Sequence, residues 1–347
     1  MQSISVSSDP GSAGAAALTG HMYRLSGSYE VEREKVREFA RAVQATHPAH
    51  YREKAASELG HPALVAPFTF TAVLGARAQR RLLEEIIDDE KPAQMLHTEQ
   101  RILAHRPVRV GDRLSCLIGL ESYRRSHGQD RLIFASVIVD QTNTPVQTGW
   151  TTAVTASDSS RHDDLGRAAQ AIMTGSGEIP SMGSELQPAE GTLADYSAAA
   201  TAEYIPRPDR SFDSVAVGDR LPAQRLRVAR GDLVNYAGVS GDPNPLHWSD
   251  HIAALAGLDD VVAHGMLTMG ASTEALTRWA GDPGALREYS VRFTSPVFVP
   301  STAPAEVHIA ATVRSLDPVR RTATVAVSAE SAGKRVFGRA IATIRLR

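Results

Sequence analysis

The feature that most constrains this chain is that its two halves repeat one another. Placing His50 on His247 sets an offset of 247 − 50 = 197 residues. In that single ungapped register Val31 meets Val228, Arg33 meets Arg230, Phe39 meets Tyr236 and Ala40 meets Ala237. Pro48 meets Pro245, Tyr51 meets Trp248, Gly60 meets Gly257, Val65 meets Val262 and Ala66 meets Ala263. A repeat this long points to duplication of a whole domain, not to a solenoid of small units. The length of 347 residues also exceeds what one hydrophobic core usually fills.

Both halves show the same order of elements. In the first, helical spacing covers 32–44 through Val36, Phe39, Ala40 and Val43, and a second helix is predicted over 69–87. Strands are predicted over 101–108, 113–123, 131–140 and 146–155, separated by Gly111-Asp112, His127-Gly128 and Asn143-Thr144-Pro145. In the second, helices over 231–239 and 265–279 precede strands over 288–293, 305–315, 320–328 and 334–346. A long helix against a run of antiparallel strands is an α+β layout. Two such units can pair edge strands into one sheet, which also hides exposed edges. The expected organisation is a flexible leader over 1–22, a first domain over 23–156, a linker over 157–205 and a second domain over 206–347. The linker is read from its Ser, Gly, Asp, Glu and Pro content, with Ile172 and Tyr196 able to pin it to a surface.

Composition narrows the function classes. A net charge of -2 argues against nucleic-acid binding, which needs a Lys/Arg excess. The single cysteine, Cys116, rules out an internal disulfide framework and reads as a small core hydrophobe. No apolar stretch is long enough to span a bilayer and the N-terminus lacks a signal-peptide pattern, so a cytoplasmic location is expected.

The chemistry concentrates in the segment running from Tyr236 through Ser240, Gly241, Asp242, Pro243, Asn244 and Pro245 to His247. Its two prolines and two glycines make it a structured loop. On such a loop a carboxylate and an imidazole five residues apart can converge as an acid–base pair. The bland alternative is that Asp242 caps the next helix and His247 is a structural histidine. A second signal follows in His264-Gly265-Met266, where a helix begins. Backbone N–H groups at a helix start can hold a carbonyl oxygen on which charge develops. His264 itself reads as structural.

The pattern S-G-D-x-N-P-x-H with a later H-G-M resembles the MaoC-like, (R)-specific enoyl-thioester hydratase/dehydratase family. The first half resembles the companion non-catalytic domain of fused actinobacterial (3R)-hydroxyacyl-ACP dehydratases. The resemblance implies a double hotdog, two antiparallel sheets each wrapped on a long central helix. It implies Asp242 and His247 as catalytic residues, Gly265 and Met266 as the thioester-oxygen site, and Gly270 as space for the thioester arm. Asn244, Ser240 and Tyr236 would organise the loop. No metal and no cofactor are implied. The partner is an acyl-ACP or acyl-CoA substrate, and a homodimer is compatible with the family. In the first half Ala45 stands opposite Asp242 and Pro67-Phe68 opposite His264-Gly265, so one active site per chain is expected. Phe68, Phe70 and Val73 are the candidate acyl-tunnel liners there. Arg106, Arg109, Arg278, Arg287 and Arg292 are candidates for a basic rim facing an acidic carrier. An (R)-specific enoyl-CoA hydratase, a non-enzymatic acyl-binding protein and a thioesterase using Glu274 stay open as alternatives.

Overall fold

The computed structural model describes residues 15, 17–86, 95–126, 129–155, 162–172, 185–198 and 204–347. The predicted His127-Gly128 turn lies outside these residues.

The first half opens with β1 (Met22–Leu25) and β2 (Tyr29–Glu30), then α1 (Arg33–Ala42), α2 (Glu53–Glu58) and the long α3 (Ala72–Ile86). Four strands follow: β3 (Met95–Ala104), β4 (Arg113–Ser126), β5 (Gln129–Val139) and β6 (Pro145–Thr155). Helix α4 (His162–Ile172), β7 (Leu186–Ala189) and α5 (Leu193–Ala198) bridge to the second half. There β8 (Gln224–Val228), α6 (Arg230–Ser240), α7 (Asp250–Leu255) and the long α8 (Gly265–Ala280) repeat the opening order. The remaining strands are β9 (Leu286–Phe293), β10 (Ala305–Asp317), β11 (Thr322–Ser331), β12 (Lys334–Arg335) and β13 (Phe337–Arg345).

The duplication is legible atom by atom. A short 3-10 turn occupies Pro48–His50 and another Pro245–His247, at the same offset. The residue before each turn caps it: His47 accepts from the Ala49 N–H, and Asn244 from the Leu246 N–H. His50 Nδ1 lies 2.6 Å from the Val65 carbonyl, and His247 Nδ1 lies 2.7 Å from the Val262 carbonyl. Gly241 ends α6 in the left-handed region at φ 75, and its counterpart Gln44 holds φ 52 without the freedom of glycine.

The sheets of the two halves join edge to edge into one, as the layout allows. The strand order is β7-β1-β4-β5-β6-β3-β9-β13-β11-β10-β8, with β3 and β9 pairing antiparallel at the centre through Arg101↔Ser290. Short strands β7 and β8 close the two edges, which limits the unpaired backbone offered there. Helix α3 lies against one half of the sheet and α8 against the other, the hotdog arrangement twice over. Between them α1 packs on α6, with Phe39 in tilted ring contact with Tyr236 at 6.1 Å.

Two expectations about the connecting segments are corrected. The leader is not wholly outside the fold: Ala15 is fully buried, Gly20 N–H bonds to the Leu120 carbonyl, and Met22 begins β1 against Gly119. The linker also carries structure. Strand β7 pairs with β1, and Leu165 and Ala169 of α4 pack on Ile252. A few apolar residues dock these pieces, although their polar and glycine-rich surroundings read as linker. Tyr196 is pinned as anticipated, against Met22, Leu117 and Val137, whereas Ile172 is exposed. Cys116 is buried, and burial pushes its thiol up to about 12.

Candidate active site

The loop after α6 is fixed from several sides. The Ser240 hydroxyl donates to the Tyr236 carbonyl at 2.6 Å and accepts from the Asp242 N–H at 3.3 Å. Asp242 Oδ1 accepts from the Asn244 N–H at 3.3 Å, so this carboxylate shapes its own loop and caps no helix. Asn244 starts the 3-10 turn that carries His247. The indole of Trp248 donates to the Pro243 carbonyl at 3.0 Å. Both prolines restrict the backbone between these anchors.

This bracing brings Asp242, His247 and His264 together. One ligating atom from each lies within 4.8 Å of the others. Asp242 and His247 are part-exposed to a cavity, and His264 is buried behind them. A carbonyl only accepts, so His247 Nδ1 carries its proton toward Val262 and leaves Nε2 as the basic nitrogen. Burial lowers the His247 pKa, while Asp242 and the Val262 carbonyl oppose that fall. His264 is lowered too, first by burial and then by His247, whose ring stacks on it at 3.7 Å and 29°. The imidazole expected to be merely structural is therefore part of the cluster. Tyr236 also packs on His264 at 4.9 Å, tilted by 57°, and its hydroxyl has no hydrogen-bond partner among the described residues.

Three such groups also form a candidate cation site. Within it the His247 and His264 rings stack on one another.

Helix α8 begins beside the loop. The N–H groups of Leu267 and Thr268 both turn back to the His264 carbonyl, which leaves those of Gly265 and Met266 as orphan donors of the first turn. Both residues line the cavity. The fit at Gly265 is close: a Cβ there would sit 3.2 Å from the Phe293 ring, which would have to give by a few tenths of an ångström. Phe293 in turn meets His97 edge-on at 5.2 Å. His97 belongs to the first half and reaches the site only because β3 pairs with β9. No local motif marks it.

The cavity measures about 1410 Å³ and runs from the Asp242–His247 loop to the space between α3 and the first-half sheet. That exceeds the roughly 300–1,000 Å³ of ordinary small-ligand pockets. Several expected liners are elsewhere. Phe70 is fully buried on the opposite face of the α3 region, edge-on to Phe39 at 5.3 Å, and Phe68 and Val73 pack on the same core. The cavity face is instead Ala72, Gly75, Ala76, Gln79 and Leu83, at the complementary helical spacing. Gly270 does not leave room for a ligand. A Cβ there would lie 2.7 Å from Thr69 Oγ1 and 2.9 Å from Val43 Cγ1, so the glycine permits close packing of the two halves.

None of the five arginines proposed as a rim lines the cavity. Arg106 binds Asp112 and Asp140, Arg278 approaches Glu274 and Arg292 approaches Glu99. Arg109 lies over the Tyr204 ring, and Arg287 donates to the Tyr204 and His105 carbonyls. The cavity arginines are Arg80, which donates to the Gly241 carbonyl at 3.3 Å, and Arg167 of α4. Glu274 is buried, accepts from the Thr46 N–H at 2.9 Å and from the Thr46 hydroxyl, and does not line the cavity. That removes the carboxylate on which a thioesterase reading depended.

Fold and site together define a class: a double hotdog chain with an Asp–His pair at the head of a large cavity. Comparison with known proteins gives the family. Residues 214–334 match the MaoC like domain, and residues 17–148 match the FAS1-like dehydratase domain region. A solved MaoC-like dehydratase is 39% identical, aligned over 96% of this chain and 100% of its own, with a TM-score of 0.84. A Mycolicibacterium paratuberculosis protein described as a UPF0336 protein is 40% identical over 39% of this chain and 85% of its own length. A Mycobacterium tuberculosis protein described as a double hotdog, 13% identical, aligns over 94% of this chain and 96% of its own at a TM-score of 0.58, a likeness of fold alone. The chain belongs to the MaoC-like dehydratase family.

Proposed function

We propose that this protein interconverts (3R)-hydroxyacyl and trans-2-enoyl thioesters by reversible dehydration, with Asp242 and His247 as the acid–base pair. The observation that carries the reading is the convergence of those two side chains, within 4.8 Å, at a cavity that also receives the free N–H groups of Gly265 and Met266. In dehydration the pair takes a proton from C2 and returns one to the C3 hydroxyl, which leaves as water. Hydration reverses those transfers. Negative charge on the thioester oxygen is held by the α8 start, a contribution of about 3–4 kcal/mol where single donors of this kind have been removed elsewhere. A neutral His247 at pH 7, favoured by its burial, is the form able to accept a proton.

In this reading the first half, 23–156, is non-catalytic and the second, 206–347, carries the reaction. Asn244, Ser240 and Tyr236 position the dyad. An ACP-linked substrate in fatty acid elongation, in the cytoplasm, is the preferred assignment, by the family resemblance of the first half. A CoA-linked (R)-specific hydratase is the second reading, favoured by the absence of the five expected rim arginines from the cavity. Hydration of crotonyl-CoA and crotonyl-ACP, with chiral analysis of the product, tests both. A (3R) product supports the mechanism, and the ratio of the two rates assigns the carrier. No turnover of either, or a (3S) product, contradicts it.

No helix among the described residues is long and apolar enough to cross a membrane.

A further inference from the structure

The two halves differ most where they should be most alike, on the sheet face beneath the long helix. In the second half that face is a dry core: Val325 and Val327 of β11, Ala340, Ala342 and Ile344 of β13, and Val291 of β9 are all buried. In the first half the matching strands present Ser136 on β5, Gln147, Gly149 and Thr151 on β6, and Gln100 on β3, set among Phe134, Ile138 and Ala153. The contrast is sharpest at the central pairing, where Gln100 sits directly opposite Val291.

Inward-facing polar residues on a strand are costly unless they meet hydrogen-bonding partners. Here they do so partly among themselves. Gln79 Nε2 of α3 donates to Thr151 Oγ1 at 2.6 Å, and the Thr151 hydroxyl donates to Gln100 Oε1 at 2.8 Å. The Thr71 hydroxyl donates to the Gln147 amide oxygen, and Gln147 Nε2 donates to the Phe68 carbonyl at 3.0 Å, so Gln147 is satisfied within the protein. The Gln79 amide oxygen has no protein partner among the described residues and borders the cavity. A plain alkyl chain in this arm would displace water from such groups and replace none of its hydrogen bonds.

We infer that the acyl arm taken by this cavity carries at least one hydrogen-bonding oxygen beyond C3, as a hydroxyl or keto group, and is not a simple hydrocarbon chain. The inference rests on the reading that the thioester sits at Asp242 and His247. The polar row would then hold the acyl arm beyond the thioester, because Gln147 and Thr151 belong to the first-half strand β6 whereas Asp242 and His247 belong to the second half. The end near Thr294 and Pro296 is exposed and suits the carrier.

The test is calorimetric binding, which needs no turnover. Dodecanoyl-CoA has neither a double bond nor a 3-hydroxyl and does not react. It is compared with a set of isomers carrying one hydroxyl at successive carbons beyond C3. The best isomer is expected to bind the wild type about tenfold more tightly, the worth of one added hydrogen bond. That advantage is expected to disappear in the Gln79→Leu/Thr151→Val double variant, and to shrink in the volume-matched Gln79→Met if the double variant is unstable. Equal or tighter binding of the unsubstituted chain by the wild type overturns the inference, as does an advantage that survives in the variants. An equal loss of acetyl-CoA binding in the variants also overturns it, since the row would then hold the pantetheine arm. Hydration of crotonyl-CoA by the same proteins reports separately on the catalytic reading.

Discussion

His50 and His247 occupy the same position of the same turn and bond to the same carbonyl of the following segment, yet their surroundings have diverged. Beside His247 stand Asp242, a second imidazole, two free helix N–H groups and a cavity. In the first half Ala45, 3% exposed, and Phe68 take the positions of Asp242 and Gly265, and the imidazole near His50 is His47, edge-on at 6.0 Å. The first-half helix starts at Ala72, not at the position equivalent to Gly265. Glu274 of the opposite half ties down Thr46 at the place matching Pro243. Scaffold and chemistry are thus separable: the turn, its cap and its histidine persist in both halves, while the proposed reactivity depends on a carboxylate and on where one helix begins.

The largest expected effect is on Asp242. Asp242→Asn should lower kcat/KM for an enoyl thioester by roughly a hundred- to ten-thousand-fold with the fold intact, checked by steady-state kinetics and circular dichroism. An attempt to equalise the halves should fail. Ala45→Asp buries an unpaired carboxylate at a dry position, so chemical denaturation should show a loss of about 3 kcal/mol. It should restore no hydration in an Asp242→Asn background. Gly265→Ala presses a methyl group on Phe293 at the donor turn, and about a tenfold fall in kcat is expected with little change in Tm. A pH effect is also expected from the first-half histidine. Burial lowers the His50 pKa to about 4, so the unfolded chain binds the extra proton between that value and the ordinary 6.5. Stability should therefore rise with pH across this window and be lost as acid is added. A His50→Gln variant should show a flatter stability profile over the same range.

Much of this was open to sequence reasoning, for a definite reason. The ungapped register with its Gly, Pro and His positions fixed the duplication, and α6, α8 and most large strands fell within a few residues of expectation. The convergence of Asp242 and His247 is legible because both lie on one loop. What escaped depended on contacts between distant segments. His97 and the cavity face of α3 become site residues only when β3 meets β9. Aromatic residues at 68 and 70 suggested a tunnel, but bulky apolar groups sought the core and left alanine, glycine and glutamine to face the space. Gly270 suggests room for a ligand by its place after the helix start, but the room is taken by Val43 and Thr69. Strand β7 and helix α4 were hidden by the composition around them.

One comparison bears most directly on the asymmetry of the halves: enoyl-thioester hydration by His247→Ala beside His50→Ala, with folding verified for each. Loss of at least about a hundredfold in the first, and a change of no more than about threefold in the second, is the predicted result. Comparable losses in both, or full activity in His247→Ala, would contradict the assignment of a single reactive centre to the second half.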